Sequence, residues 1–380
     1  SGGSGIIWMI CINSFKKINN THILAGQARI FRTCPAINGN KKSTENHMKT
    51  FVLPRHITIH DTTVREGFQR EERLIPTDAK LWVVQQLVKA GFTRLEVTNF
   101  ASPVRLPQFA DAEELLRLVR THRSLSSLLA DVEFSAVTIN QRAVDRALAA
   151  HSNGYGPDRI LLVISVSDAY QQANTGMGID AYWKMAEKCI QTVTSSGMKV
   201  CGVINGIWGC PKTGRTDMQK AVAFARHWLQ IGADEIEHAD HNGSATPDRI
   251  FAYFSAILDA MPDPEKHVAH FHSTRGWGMA NVLAAIQAGI THFESTLGGI
   301  GGQPANFVDG VPVAGTGDYY HKDPGLSGLV STEDLAVMLD EMNVETGLDV
   351  DTVISIGGTV ERIVGRRLRS ECLHSGRIAK

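Results

Sequence analysis

The sequence predicts an α/β fold, a closed (β/α)8 barrel with extra C-terminal helices. Three observations predict it. Short apolar runs alternate with amphipathic helical stretches from residue 56 onward, the pattern that builds a parallel sheet. Eight such strand–helix units fill about 240 residues, the count and size of a barrel. A polar or charged cluster follows the strands, where barrel enzymes keep their chemistry.

Strands are expected at 57–60, 94–98, 133–137, 160–165, 200–204, 235–238, 268–271 and 291–294. The helical runs between them include 78–90, 112–121, 182–195, 217–230, 247–260 and 278–288. Their apolar residues recur every three or four positions, as in Leu81, Val84, Leu87 and Val88. The strand ends carry Asp61-Thr62-Thr63-Val64-Arg65-Glu66, Asn99, Ser165-Val166-Ser167-Asp168, Asn205, Asp240-His241-Asn242, His272-Ser273-Thr274-Arg275 and Ser295-Thr296. A doubly wound open sheet would want a Gly-x-Gly-x-x-Gly turn after its first strand, and Asp61 to Gly67 is not one. Residues 332–339 and 353–368 read as helices packed on or near the barrel.

Composition narrows the function classes. The 380 residues carry 38 Lys and Arg against 39 Asp and Glu, a formal net charge of −1. That balance gives no electrostatic reason for a nucleic-acid or anionic-membrane partner. The longest apolar stretch, Ile6 to Ile12, is far short of the ~20 residues a membrane-spanning helix needs. The six cysteines (Cys11, Cys34, Cys189, Cys201, Cys210, Cys372) form no Cys-x-x-Cys pair, and read as reduced thiols in an intracellular protein. The expected division is a leader over 1–50 and the barrel with its C-terminal helices over 51–380. Ser1 to Gly5 reads as a linker, and residues 6–50 carry seven Lys or Arg against the one acid Glu45. This stretch reads as an unfolded leader ahead of Met48, with a mitochondrial-type presequence as the competing reading. The expected compartment is the cytoplasm, with the mitochondrial matrix as the alternative.

His270-Phe271-His272 ends the seventh strand. In a strand, residues i and i+2 face the same side, so both imidazoles can bind one metal ion. Two imidazoles, a carboxylate and open positions suit Mg²⁺ or Mn²⁺, and also Zn²⁺ or Co²⁺. Glu66 after the first strand is the natural carboxylate. Arg65 beside it is placed to hold negative charge developing on a substrate oxygen.

These residues are familiar. The run from His60 to Gln69 resembles the first-strand motif of the DRE-TIM metallolyase superfamily, whose barrel is also called the pyruvate carboxyltransferase-like domain. The superfamily holds 3-hydroxy-3-methylglutaryl-CoA lyases, isopropylmalate and homocitrate synthases, 2-oxo acid aldolases and carboxytransferases. The resemblance spans about residues 56 to 350 and is strongest to the lyase branch. It rests on Leu95 to Pro103 with Pro107-Gln108, Gly209-Cys210-Pro211, His270-Phe271-His272 with Gly276 and Ala280-Asn281, and Gly298-Gly299-Ile300-Gly301-Gly302. Ser331 to Leu335 and Glu345-Thr346-Gly347 complete it. The resemblance implies a barrel that binds one divalent metal and cleaves a branched 3-hydroxyacyl-CoA by retro-aldol (Claisen-type) chemistry. It implies that Glu96 holds Arg65, that Gln69, Asn99, Ser102 and Gln303 meet the substrate, and that the chain is a homodimer. The partner is then a small molecule, an acyl-CoA.

Three departures from the lyase pattern lie in the site. Glu66 stands where the lyases carry Asp. Gln303 stands where they carry a catalytic cysteine, and an amide does not transfer protons near neutral pH. Asp240 and His241 are the candidates for that work. The segment from Ala305 to Leu329 is expanded and contains Tyr319-Tyr320-His321-Lys322. Leu329 takes the place of an Asn that can bind the metal, and Asn306 is the compensating ligand expected from the synthases. Ser273 and Arg275 also differ from frequent residues of the relatives, which argues for a different substrate. The alternatives to a lyase are a condensing acyl-CoA/2-oxo acid synthase, a 2-oxo acid aldolase and a non-catalytic binding barrel.

Overall fold

The structure is a computed structural model that describes residues 52–210, 212–302, 306–308, 311–313 and 327–378, the two short segments as backbone alone. The leader over 1–50, Gln303, and Tyr319 to Lys322 lie outside the described residues. Eight parallel strands close in chain order: β1 (Thr58–Asp61), β2 (Arg94–Asn99), β3 (Glu133–Val137), β4 (Arg159–Ser165), β5 (Lys199–Asn205), β6 (Glu235–Asp240), β7 (His267–Phe271) and β8 (His292–Ser295), with β8 pairing back to β1. Several run one or two residues past their expected ends, through Asp61, Asn99, Asn205 and Asp240. The ladder joins backbone groups, so a polar side chain at a strand end does not stop it: Asn205 still pairs with Ala239, and Asp240 with Phe271.

The helices ring the barrel: α1 (Thr77–Lys89), α2 (Ala112–Thr121), α3 (Gln141–Ser152), α4 (Asp168–Thr175), α5 (Ile179–Ser195), α6 (Met218–Gln230), α7 (Pro247–Ala260) and α8 (Gly278–Ala288). Starts are set by caps such as Asn140, whose Oδ1 accepts from Ala143 N at 3.0 Å, and Ser167, whose Oγ accepts from Tyr170 N. In the expanded segment, β9 (Asn306–Val308) and β10 (Val311–Val313) pair antiparallel. Beyond them α9 (Thr332–Glu341), α10 (Val350–Val364) and α11 (Glu371–Ser375) are the extra C-terminal helices.

Strand alternation divides the core. Outward residues such as Ile160, Ile236 and Phe271 join Trp208, Trp228, Tyr253 and Phe254 in the large cluster under the helices. Inward residues Val137, Leu161, Cys201, Val203 and Ala239 form a small cluster inside the barrel. Below it the interior is ionic. Arg94 Nη2 lies 2.7 Å from Glu235, Arg159 Nε lies 2.6 Å from Glu133, and Lys199 Nζ lies 2.7 Å from Glu133. Burial opposes ionisation there, yet the guanidinium groups of Arg159 and Arg94 hold the Glu133 carboxyl down at about 2.

The C-terminal helices reach the loop after β8. Both Glu333 carboxylate oxygens accept from Gly298 N, at 2.7 and 3.0 Å, and Arg369 N donates to Gly298 O at 3.0 Å. Gly298 has φ +62°, and a Cβ there would lie 2.3 Å from a Leu368 side-chain carbon, so the turn needs glycine twice over.

Beside the ionic floor, His60 Nε2 lies 3.1 Å from His292 Nδ1. Burial, aided by Arg94, pushes His292 down to about 4 from an ordinary 6.5. A lowered folded-state value means that the unfolded chain binds the proton first. The contribution is therefore intact above about 6.5 and is lost as pH falls towards about 4. Urea unfolding of the chain and its His292→Gln variant should show the variant gaining on the wild type over that window, with a constant difference above it. A difference that does not change with pH would refute this assignment.

Candidate active site

The turn after β1 sets the site. Asp61 Oδ1 accepts from Thr63 N at 2.9 Å, and Asp61 Oδ2 accepts from the Thr63 and Thr332 hydroxyls, both at 3.0 Å. Thr63–Gly67 then forms one π-helical turn, with Glu66 N donating to Thr62 O at 2.7 Å. This local widening places Arg65 and Glu66 side by side inside the barrel mouth. Arg65 Nε donates to Glu96 Oε1, and its Nη1 donates to Glu66 Oε2. Gln69 Nε2 donates to Glu66 Oε2 at 2.8 Å and to Gly302 O at 2.6 Å, while Gly302 N donates to Glu66 Oε1 at 3.2 Å. The glycine loop therefore lies directly against Glu66. Gly301 has φ +122°, and a Cβ there would come within 3.1 Å of Glu66 O.

At the end of β7, one strand beyond β1's neighbour β8, His270 and His272 both face inward. Their Nε2 atoms are 3.1 Å apart, and Glu66 Oε1 lies 3.7 Å from His272 Nε2. His272 Nδ1 lies 2.5 Å from Ser327 O. A carbonyl oxygen only accepts, so Nδ1 carries the hydrogen and Nε2 keeps its lone pair. Burial pushes both imidazoles down to about 4, so they are neutral near pH 7, the form that binds metals. One ligand atom from each of Glu66, His270 and His272 lies within 4.8 Å of the others. A carboxylate and two neutral imidazoles converging in this way fit a divalent cation.

Sequence reasoning missed two carboxyl groups. His270 Nδ1 lies 2.6 Å from Glu294 Oε2 and 3.2 Å from Glu237 Oε1. Burial raises the Glu294 carboxyl to about 7, and burial with Glu294 alongside raises Glu237 further. Part of the signal was available: Glu235 and Glu237 share one face of their strand, and Glu294 lies within the eighth strand. An acid on the inner face of a barrel strand has no solvent to reach.

The site opens on a cavity of about 930 Å³. Arg65, Glu66, Gln69, Asn99, Ser102, His241, His270 and His272 all line it, and Glu96 lies behind Arg65. Asn99 Oδ1 is turned to its own loop, accepting from Ala101 N at 2.8 Å. His241 packs against Tyr170 with ring centroids 4.9 Å apart, and its Nδ1 accepts from Gly206 N at 3.3 Å. Asp240 is not brought to the cavity. It is out of step with Glu235 and Glu237, and its carboxylate accepts from Ser244 N, the Ser244 hydroxyl and Ala245 N at 2.9, 3.2 and 3.0 Å. Burial raises it to about 6. Asn306 is described as β9 backbone alone, and Gln303 falls outside the described residues.

A closed parallel barrel with a carboxylate and two histidines converging near its strand ends defines a TIM-barrel protein with a group of residues that could hold a metal ion. The HMGL-like family model matches residues 56–360, and the chain belongs to that family. It is 30% identical over 319 residues to the (R)-citramalyl-CoA lyase of Chloroflexus aurantiacus, covering 82% of this chain and 92% of the relative. It is 28% identical over 361 residues to the cytoplasmic 3-hydroxy-3-methylglutaryl-CoA lyase of Mus musculus, covering 95% and 94%. Another relative, from Arabidopsis thaliana, is a mitochondrial hydroxymethylglutaryl-CoA lyase at 27% identity, covering 83% of this chain and 61% of that protein. Among solved structures, an HMG-CoA lyase from Acinetobacter baumannii in complex with coenzyme A and 3-methylmalate superposes with a TM-score of 0.74 at 28% identity, covering 86% of this chain and 97% of that one. Among the described residues no helix is long and apolar enough to cross a membrane.

Arg65 and Glu96 are 8% and 2% exposed, so removing one partner leaves a buried charge poorly matched. Glu96→Ala should lower the unfolding free energy by about 3 kcal/mol. Glu96→Gln, which keeps an accepting oxygen, should cost less. Urea denaturation reads both, and an alanine variant as stable as the parent would contradict the pairing.

Proposed function

We propose that the chain is a divalent-metal-dependent carbon–carbon lyase that cleaves a branched 3-hydroxyacyl-CoA. One observation carries this reading: Glu66, His270 and His272 converge on the wall of the cavity that Arg65 also lines. Membership in the HMGL-like family and relatives named as acyl-CoA lyases support it.

In the proposed reaction the substrate hydroxyl loses its proton and its carbon becomes a carbonyl. The bond between C2 and C3 breaks, its electron pair passes into the thioester as an enolate, and a proton is returned to C2. Glu66, His270 and His272 would hold the metal, which when bound would supply Lewis acidity to the reaction. Arg65 stabilises the enolate oxygen, and Glu96 keeps the guanidinium aimed while removing its freedom to swing away. Gln69 fixes Glu66 against the glycine loop. Asn99 and Ser102 meet the substrate where the cavity opens. Gln303 occupies the position that resemblance gives to the lyases' cysteine, and its amide moves no proton. His241, the imidazole that lines the cavity outside the metal set, takes the proton-transfer role in this reading.

The test is acetyl-CoA release from 3-hydroxy-3-methylglutaryl-CoA and citramalyl-CoA by the purified chain with Mn²⁺. Release from either thioester, abolished in His270→Ala along with Mn²⁺ binding, is the expected result. Arg65→Gln should keep Mn²⁺ and lose about 10²–10³ in kcat, the usual effect of removing a donor to a developing oxyanion. A chain that binds Mn²⁺ and cleaves neither thioester would overturn the substrate assignment.

A further inference from the structure

We propose that Glu294 is the positioning residue for His270: its carboxylate accepts the Nδ1–H and turns Nε2 toward Glu66 and His272. The inference rests on the metal-dependent reading above and adds to it a residue outside the Glu66, His270 and His272 set.

The sheet itself makes the pair. In the ladder between β7 and β8, His270 and Glu294 are direct register partners, so their side chains leave the same face at the same height. On its other side Glu294 is level with His60, whose ring is engaged with His292 at 3.1 Å, so Glu294 is left to His270. Glu294 Oε2 lies 2.6 Å from His270 Nδ1, well within hydrogen-bond distance. Both side chains are at least nine-tenths buried, and no water competes for the bond.

Glu237 is the rival, and the geometry separates the two. Its Oε1 is farther away, at 3.2 Å, and its Oε2 has no hydrogen-bond partner among the described residues. Glu237 also lines the cavity, whereas Glu294 does not. Glu237 thus faces the space a substrate fills, and Glu294 faces the ring.

The two histidines are consequently held by unlike acceptors, His272 by the neutral carbonyl of Ser327 and His270 by a carboxylate. A carboxylate behind an imidazole fixes its tautomer and makes the far nitrogen a better donor. His270 is therefore the stronger ligand of the pair.

Mn²⁺ affinity of the full chain, read by electron paramagnetic resonance without substrate, tests this directly. Glu294→Gln keeps the shape and an accepting oxygen but loses the charge, and its Kd should rise about tenfold. Glu294→Leu loses both, and its Kd should rise about a hundredfold, the upper range for such partners. Glu237→Gln should leave the Kd nearly unchanged. Nitrogen NMR of the chain loaded with diamagnetic Zn²⁺ should show His270 protonated on Nδ1 and without a proton on Nε2. Should the leucine variant fail to fold, the glutamine variant still decides. A folded Glu294→Gln with wild-type Mn²⁺ affinity, or a proton on His270 Nε2 in the Zn²⁺-loaded wild type, would overturn the proposal. If His270→Ala itself kept full Mn²⁺ affinity, the metal reading beneath it would fall instead.

Discussion

Arg65 is held inside the barrel by two carboxylates, Glu66 on its own turn and Glu96 on the next strand. A guanidinium this deeply buried persists only where its charge is matched and its donors are used. That requirement explains much of the surrounding architecture. The π-helical turn brings Glu66 next to Arg65, Gln69 and Gly302 share the remaining capacity of Glu66, and the glycine loop must pass close enough to donate. One cation thereby ties β1, β2 and the loop after β8 into a single rigid wall.

Alternation along the strands determines which polar residues reach the interior. Arg94, Glu133, Arg159 and Glu235 close the floor as a matched ionic layer, with an apolar belt and then the reactive groups above it. The layers differ in chemistry because each has a different access to water. The floor has little and must largely neutralise itself, whereas the upper layer opens on the cavity. Asp240 and Glu237 are three residues apart on one strand, and parity alone sends the first to its own loop and the second to the cavity.

The barrel was legible because its signals are local: strand length, helical period and a polar residue at each strand end. The turn carrying Arg65 and Glu66 and the His270–His272 pair were legible for the same reason, since i and i+2 in a strand share a face wherever the strand sits. Glu237 and Glu294 were not. Their role depends on the register between neighbouring strands, in which a residue 24 positions away becomes the partner of His270. The contacts of Asp240 depend on how the loop from His241 to Ala245 folds back, which no periodicity encodes. Residues that carry a local motif could be read, even where their partners lie on other strands, whereas Glu237 and Glu294 carry none.

Gly298 is gripped from below by Leu368 and Arg369 and from the side by Glu333. The loop that lies against Glu66 is thus closed by residues some three hundred positions further along the chain than the turn it serves. A ribosome-bound chain can pair all eight strands before Arg369 emerges, yet its glycine turn lacks these restraints until then. Completion of the glycine turn is consequently among the last events of synthesis.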